Sequence, residues 1–235
     1  MPTLQFKGKN IIWNHHLSVP YHTLEEVKAL HFQPEKDNGN VIIEGDNLIA
    51  LKALLPEYSG KVKCIYIDPP YNTGNEGWVY NDNVNSPLIN EWIGKIVGTD
   101  DLTRHDKWLC MMTPRLFLLR DLLANDGAIF ISIDDNVLTY LRVLCDEIFG
   151  HHNFVAVLPR ITKKAGKTTG SIAKNNDYIL IYKKDENLEL ADIEVDEDNY
   201  DLVDEYFLSR GNYKLSQTLD YGSLQYSASL DYEIE

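Results

Sequence analysis

The apolar residues of the first half of the chain fall into short β-branched runs and longer stretches with a helical period. Residues 41–44 are mostly β-branched and predict a strand. The leucines that follow recur at intervals of three and four, which predicts a helix with Asp46 or Asn47 as its N-cap. Residues 62–67, with the sequence VKCIYI, predict a second strand. A strand, a helix and another strand are therefore expected in that order.

A long polar loop follows to about residue 105, which is too long for a simple connector. Beyond it the pattern predicts a helix at residues 106–125, a strand at 128–133 and a helix at 137–149. Asp134 or Asp135 is placed to cap the last of these helices.

Two further strands are predicted at residues 154–158 and 178–182, on either side of a basic loop, and we expect them to pair as an antiparallel ribbon. The order of elements predicts an α/β fold with a mostly parallel sheet and this ribbon at its edge.

Composition narrows the class of protein. The 235 residues are 44% hydrophobic and 25% charged, which is ordinary for a globular protein with a sizeable core. The sequence has no apolar run of about 18 to 20 residues and no signal peptide at its start, so we expect a cytoplasmic protein without a membrane partner.

The three cysteines each lie in an apolar run and are expected to be buried free thiols. The histidine spacings match no metal signature.

The net charge of −14 argues against a protein that coats nucleic acid by charge alone. The charges are unevenly distributed, however. Residues 185–205 contain eleven acidic side chains and no Lys or Arg, whereas residues 160–174 contain five basic side chains and no acidic one. The basic loop is therefore either a solvated surface segment or a contact for phosphate groups.

The sequence Asp68-Pro69-Pro70-Tyr71 ends the strand at residues 62–67. The two prolines fix an extended backbone, so the Asp68 carboxylate and the Pro69 carbonyl can face one pocket beside the Tyr71 ring. Two such acceptors suit the two hydrogens of a base amino group, and Tyr71 would stack on a base flipped out of its duplex. Taken alone, the tetrad also fits a plain turn at the end of a strand.

Several motifs in order resemble the adenine-specific DNA methyltransferases of the β order, and most of all the modification subunits of type III restriction systems. They are GDNL at residues 45–48, IYIDPPYNTG at 65–74, GAIFISIDDN at 127–136 and DEIFG at 146–150. The resemblance extends from residue 14 to residue 180, over most of the chain.

This resemblance implies a partial Rossmann-like methyltransferase fold, with residues 68–71 as the catalytic motif and S-adenosyl-L-methionine as the methyl donor. The product would be N6-methyladenine in double-stranded DNA. Aspartate rather than serine at position 68 favours adenine N6 over cytosine N4 in that family. Asp46 and Asp68 would lie at the cofactor, although Asp46 fits equally well as a helix cap with no ligand. For Asp134 and Asp135 capping is the favoured interpretation.

The same resemblance implies that DNA contacts come from two loops. Asn72 and Thr73 would border the target base. The basic loop would face the phosphate backbone through Lys163, Lys164 and Lys167.

The domains are expected to be an N-terminal extension at residues 1–40, the catalytic part of the methyltransferase at 41–184, and an acidic linker with the start of a truncated target-recognition region at 185–235. Family members carry a glycine-rich cofactor loop after target recognition, and none of the fourteen glycines here forms a GxG after a strand. The cofactor-loop half is therefore expected to be missing.

In the family sheet, that half supplies strands between the predicted strands at 41–44 and 62–67. We therefore expect unpaired strand edges, exposed apolar surface, and either marginal stability, association, or a second polypeptide or restriction subunit as partner. Two rival functions stay open. One is an inactive remnant or complementing subunit, and the other is a methyltransferase for RNA or for a protein amide nitrogen.

Overall fold

A computed structural model describes residues 3–32, 39–73, 82, 103–162, 175–188, 190 and 202–213. Contacts divide the chain into two units, residues 1–189 and 190–235. The predicted domain boundaries remain a prediction. In the described part of the second unit, a bridge between Leu202 and Tyr213 encloses a short helix, Phe207–Arg210.

The first unit is built on a four-stranded sheet with the strand order β1-β2-β4-β3. The strands are β1 (Val62–Ile67), β2 (Leu123–Ile133), β3 (Phe154–Ile161) and β4 (Asn176–Lys183). β1 pairs with β2 in parallel, while β2 with β4 and β4 with β3 are antiparallel. The α/β class and the antiparallel ribbon are confirmed. Among the described residues the sheet is mixed rather than mostly parallel, because β4 enters it beside β2 in the reverse direction.

Five α-helices precede or separate these strands among the described residues of the first unit: α1 (Lys9–Ile12), α2 (His15–Ser18), α3 (Asn47–Tyr58), α4 (Arg104–Leu122) and α5 (Leu138–Phe149). The three helices predicted from periodicity are confirmed as α3, α4 and α5, with bounds that differ by a few residues. β2 begins at Leu123, directly after α4, where the backbone turns from helical to extended.

The core lies between the sheet and helices α4 and α5. Leu116 and Leu119 of α4 and Leu141 of α5 pack with Ile129 and Ile131 of β2. α3 packs against α4, where Leu48 meets Leu118 in a smaller cluster. No described helix is long and apolar enough to cross a membrane.

The N-terminal segment is attached to α5 by polar contacts. The Lys9 ammonium forms an ion pair of 2.6 Å with Glu147, and the backbone N–H of Leu4 donates to the same carboxylate. Ile12 is fully buried.

The strand predicted at residues 41–44 is wrong. The segment has no strand partner in the described part of the chain, and Ile42 is 100% exposed. Backbone groups form a strand only beside another strand, and β1, where the sheet ends, has β2 as its single described neighbour. Tyr66 of β1 is 54% exposed at this edge, and the exposed apolar surface expected there stays a prediction.

Cys110 and Cys145 are buried free thiols, whereas Cys64 on β1 is exposed, which corrects the prediction for that residue. Successive side chains of a strand point to opposite faces. Ile65 therefore joins the core, while Cys64 and Tyr66 lie on the face away from α4.

Candidate active site

The candidate site lies at the carboxyl end of β1. Asp68, Pro69, Pro70 and Tyr71, called here the 68–71 segment, follow Ile67 directly. α3 leads back into β1 through a short turn, so the start of α3 and the end of β1 lie at the same edge of the sheet. This arrangement brings Asp46, at the start of α3, to the same edge as Asp68. Ligands of open α/β sheets bind at such an edge.

Helix α4 holds the 68–71 segment from the core side. The indole N–H of Trp108 donates a hydrogen bond of 2.6 Å to the carbonyl oxygen of Pro70, and Trp108 is fully buried. A buried carbonyl without a donor is costly, and proline has no N–H of its own to contribute to a ladder. The bond therefore fixes the plane of the Pro70 peptide.

Asn72 continues this attachment. It is fully buried and adopts a left-handed backbone with φ of 57°, which asparagine tolerates better than most residues. Its amide nitrogen lies 3.2 Å from Nδ1 of His105 and 3.5 Å from the carbonyl oxygen of Arg104. Burial lowers the pKa of His105, so the ring is neutral near pH 7 and Nδ1 is able to accept.

Tyr71 is half-buried, and its ring packs against the core. Burial raises the pKa of Tyr71 to about 12, and the negative charge of Asp68 and a hydrogen bond to that carboxylate contribute further. The phenol therefore keeps its proton at ordinary pH. The negative charge of Asp177 on β4 acts on the pKa of Tyr71 in the same direction.

Arg160 of β3 and Asp177 of β4 are direct cross-strand partners. Nε of Arg160 donates to Oδ1 of Asp177 at 2.8 Å, and Nη2 donates to Oδ2 at 2.6 Å. The hydrogen bond with Arg160 lowers the pKa of Asp177, against a smaller opposing effect of burial. A two-pronged contact of this kind fixes the orientation of the carboxylate.

Asp46 is the N-cap of α3. Its Oδ1 accepts from the backbone N–H groups of Leu48 at 2.8 Å and Ile49 at 3.3 Å. The capping geometry is therefore present, and a role at the cofactor stays a prediction. The next residue, Asn47, accepts from Nε of Arg115 on α4 at 2.8 Å.

The same Arg115 side chain also binds Asp82. Its two Nη atoms lie 2.6 and 2.7 Å from the oxygens of Asp82, which is 2% exposed. Arg115 thus links the start of α3, helix α4 and Asp82. Breaking a buried pair of this kind leaves an uncompensated charge.

Comparison with known proteins places this site in a family. The family model described as DNA methylase, for N6 and N4 methyltransferases, matches residues 62–227. The chain belongs to this DNA methylase family. Residues 62–227 include β1, the 68–71 segment and the β3–β4 ribbon, so the site described above lies inside the matched region.

Three curated relatives agree with that membership. The Mod subunit of the type III restriction-modification enzyme EcoPI, from Escherichia phage P1, is 38% identical over 86% of this chain and 33% of that protein. The EcoP15I Mod subunit from Escherichia coli is 39% identical over 71% of this chain and 28% of that protein. The type II methyltransferase M.KpnI from Klebsiella pneumoniae is 36% identical over 77% of this chain and 40% of that protein. The chain thus spans about a third of the length of the type III subunits it matches.

Among solved structures, a DNA modification methylase from Thermus thermophilus in complex with S-adenosyl-L-methionine has a TM-score of 0.38 and 16% identity, covering 70% of this chain and 63% of that chain. This likeness is too distant to support a conclusion.

The predicted site residues of this DNA methylase chain fall into three groups. The structure brings together Asp68, Pro69, Pro70 and Tyr71 at one sheet edge, with Asp46 at the same edge. Thr73 is half-buried beside them. Lys163, Lys164 and Lys167 lie outside the described residues.

The Asn72 side chain is fully buried against the start of α4, and its place beside the target base stays a prediction. One prediction requires correction. The N-cap of α5 is Val137, without a side-chain cap bond, and neither Asp134 nor Asp135 caps the helix. Asp134 instead accepts from the backbone N–H of Asn136, because a short aspartate readily closes a turn two residues ahead.

Across the described residues, no group of three or more His, Cys, Asp or Glu side chains is close enough to hold a metal ion.

Sequence reasoning missed the polar contacts that hold the 68–71 segment. Periodicity assigns Trp108 to packing and cannot show where an indole N–H points. The Arg160–Asp177 pair has a visible signal, because opposite charges at the two inner ends of a predicted ribbon are expected to be cross-strand neighbours. Grouping Arg160 with the basic loop hides that signal.

Proposed function

We propose that this chain is the catalytic part of an adenine-specific DNA methyltransferase of a restriction-modification system, which transfers the methyl group of S-adenosyl-L-methionine to N6 of an adenine in double-stranded DNA. The observation that carries the proposal is the 68–71 segment, held at the carboxyl end of β1 in a chain of the DNA methylase family. The relatives named as Mod subunits and as a type II methyltransferase support the choice of DNA as substrate.

The geometry supports a defined role for each residue. The Pro70 carbonyl is already taken by Trp108, which leaves the Asp68 carboxylate and the Pro69 carbonyl as the acceptors for the target amino group. Accepting both amino hydrogens would localise the nitrogen lone pair and orient it toward the methyl group that a bound S-adenosyl-L-methionine would supply. The Tyr71 ring provides a flat surface for the flipped base.

The residues at this edge fit part of the cofactor. Asp46 and Asp68 are acceptors, and S-adenosyl-L-methionine presents ribose hydroxyls and an ammonium group as donors. The bound cofactor supplies a methyl group on a sulfonium. A restriction subunit or a second polypeptide is the partner proposed, and the relatives' names as subunits support it.

The test identifies both the molecule that receives the methyl group and the methylated product. The purified chain is incubated with tritiated S-adenosyl-L-methionine and, separately, double-stranded DNA of mixed sequence, total RNA and a protein mixture. Labelled DNA is then digested to nucleosides and analysed by mass spectrometry. The proposal predicts label in DNA and N6-methyladenine as the product.

Three results contradict the proposal in different ways. A product of 4-methylcytosine assigns the chain to cytosine chemistry. Label only in RNA or in protein assigns another substrate class. A folded chain that labels nothing favours the remnant or complementing subunit, and adding candidate partner polypeptides then separates those two.

A further inference from the structure

The turn at residues 45–47 carries Asp46, one of the two acceptors proposed for the cofactor, and no strand holds it from its N-terminal side. Residues 41–44 have no strand partner in the described part of the chain. Gly45 adopts a φ of 148°, a backbone conformation that residues with a Cβ rarely adopt, and glycine has the most backbone freedom to lose on folding. The position of Asp46 therefore depends on contacts that begin after it in the chain.

The Asp46 carboxylate has one oxygen in use and one available. Oδ1 accepts from the backbone N–H groups of Leu48 at 2.8 Å and Ile49 at 3.3 Å. Oδ2 accepts no hydrogen bond from another described residue, and Asp46 is exposed. An ionised carboxylate can accept several hydrogen bonds. Capping the helix therefore leaves Asp46 able to accept from a ribose hydroxyl or an ammonium group, so its two interpretations are compatible.

Arg115 of α4 holds the residue that follows Asp46. Its Nε donates to Oδ1 of Asn47 at 2.8 Å. Nη1 donates to Oδ2 of Asp82 at 2.6 Å and to the carbonyl oxygen of Met111 at 2.7 Å, while Nη2 donates to Oδ1 of Asp82 at 2.7 Å. Arg115 is 9% exposed and Asp82 is 2% exposed. The planar guanidinium is thus fixed on three sides, and it holds the Asn47 side chain against a rigid support.

We propose that Arg115 is a positioning residue for the methyl donor, because through Asn47 it fixes the 45–47 turn and so places Asp46 to accept from S-adenosyl-L-methionine. The inference rests on the proposed function, since it needs the cofactor at Asp46. Arg115 touches neither the cofactor nor DNA. Four of the five N–H bonds of its guanidinium are already used within the chain.

A purely structural role for Arg115 makes a different prediction. If Arg115 only stabilises the buried pair with Asp82, loss of the Asn47 oxygen leaves that pair intact and does not affect the cofactor. If Arg115 acts through Asn47, loss of that oxygen weakens the binding of S-adenosyl-L-methionine. That effect disappears once residue 115 has no Nε donor, so a double-mutant cycle separates the two roles.

The experiment compares the unaltered chain with Asn47→Ala, Arg115→Lys and the double variant, by steady-state methylation of DNA. We expect Asn47→Ala to raise KM for S-adenosyl-L-methionine about fivefold, the size of one hydrogen bond, with kcat and KM for DNA within about twofold. Arg115→Lys keeps a positive charge beside Asp82 and loses Nε. In that background Asn47→Ala is expected to alter KM by less than about twofold. A rise of the same size in both backgrounds, or in neither, would overturn the proposal.

Two further variants guard the cycle. Asn47→Asp keeps an acceptor for Nε, so KM for S-adenosyl-L-methionine is expected to stay within about twofold of the unaltered value. This variant serves if Arg115→Lys does not fold, and a loss equal to that of Asn47→Ala would count against the proposal. Asn125→Ala is the matched control. It removes an exposed asparagine at the amino end of β2, at the opposite edge of the sheet, and is expected to leave KM and kcat unchanged.

A readout that needs no activity distinguishes failure of this inference from failure of the proposed function. The N–H groups of Leu48 and Ile49 donate to Asp46, so their hydrogen exchange reports whether the turn is held. Asn47→Ala and Arg115→Lys are each expected to raise these exchange rates at least about threefold, after correction for the intrinsic rates of the altered sequence.

Unchanged exchange at these two groups would overturn the inference, whether or not DNA is methylated. Faster exchange in both variants, together with an unaltered chain that methylates nothing, would instead contradict the proposed function and leave the positioning of the turn by Arg115 intact.

Discussion

On its helix side the 68–71 segment is held by buried, uncharged groups, whereas on its ribbon side it meets a charged pair that is partly open to solvent. Trp108 of α4 donates to Pro70 from a fully buried position. Arg160 and Asp177 act on Tyr71 through two opposite charges, and the Arg160 side chain is 48% exposed. The two sides are expected to respond to different conditions.

The difference is one of solvation. A neutral hydrogen bond in the core depends on packing and is insensitive to salt, and neither the indole nor the carbonyl titrates. An ion pair near the surface is screened by salt and depends on the charge of its carboxylate. The helix side is thus expected to set stability at any pH and salt concentration, and the contribution of the ribbon side is expected to depend on both.

The largest effect on stability is expected from Trp108→Phe. This substitution leaves the half-buried Pro70 carbonyl without its donor and replaces the fully buried indole by a smaller ring. We expect a loss of about 2–4 kcal/mol in the free energy of unfolding, measured by urea denaturation.

Trp13→Phe is the matched control, since Trp13 packs edge-on against Phe117 of the same helix. That site lies about 14 Å along α4 from Trp108, at 1.5 Å per residue. The control is expected to lose less stability and to keep the methylation rate per folded molecule. Equal losses in the two variants would show that the bond to Pro70 adds nothing.

A smaller effect is expected from Asp177→Asn, and it depends on pH. Arg160 lowers the pKa of Asp177 in the folded state. A carboxylate with a lowered folded pKa stabilises the fold above its unfolded value of about 3.9, and this contribution disappears as the pH falls through the folded value. The stability difference between the unaltered chain and Asp177→Asn is therefore expected at pH 7 and should shrink below about pH 4.

Urea denaturation at a series of pH values from about 7 to 3 checks this expectation. Trp108→Phe provides the comparison, because its deficit should stay constant over the same range. A deficit of Asp177→Asn that does not change with pH would mean that the ion pair does not stabilise the fold through its charge.

The sequence predicted the elements that carry their own periodic pattern. The leucine spacing of α3, the apolar side of α4 and the run in β2 each indicate their element without reference to the rest of the chain. The extended backbone of the 68–71 segment could also be predicted, because two consecutive prolines after a strand leave the backbone few allowed conformations.

The features that could not be predicted depend on which parts of the chain pack beside one another. Residues 41–44 have the composition of a strand, but a strand needs a partner, and the composition does not show whether one is present. Cys64 lies in an apolar run, yet it is exposed because it points away from α4. The direction of β4 and the bond from Trp108 to Pro70 are likewise properties of packing.

The central claim is that Asp68 is the acceptor for the target amino group, and Asp68→Asn tests it most directly. The substitution keeps the size of the side chain and replaces one acceptor oxygen by a donor. The measurement is the single-turnover rate of methyl transfer to DNA, with thermal unfolding to check the fold. We predict a rate at least about 100-fold lower with an unchanged unfolding midpoint. A folded Asp68→Asn protein that methylates adenine at the unaltered rate would contradict the account.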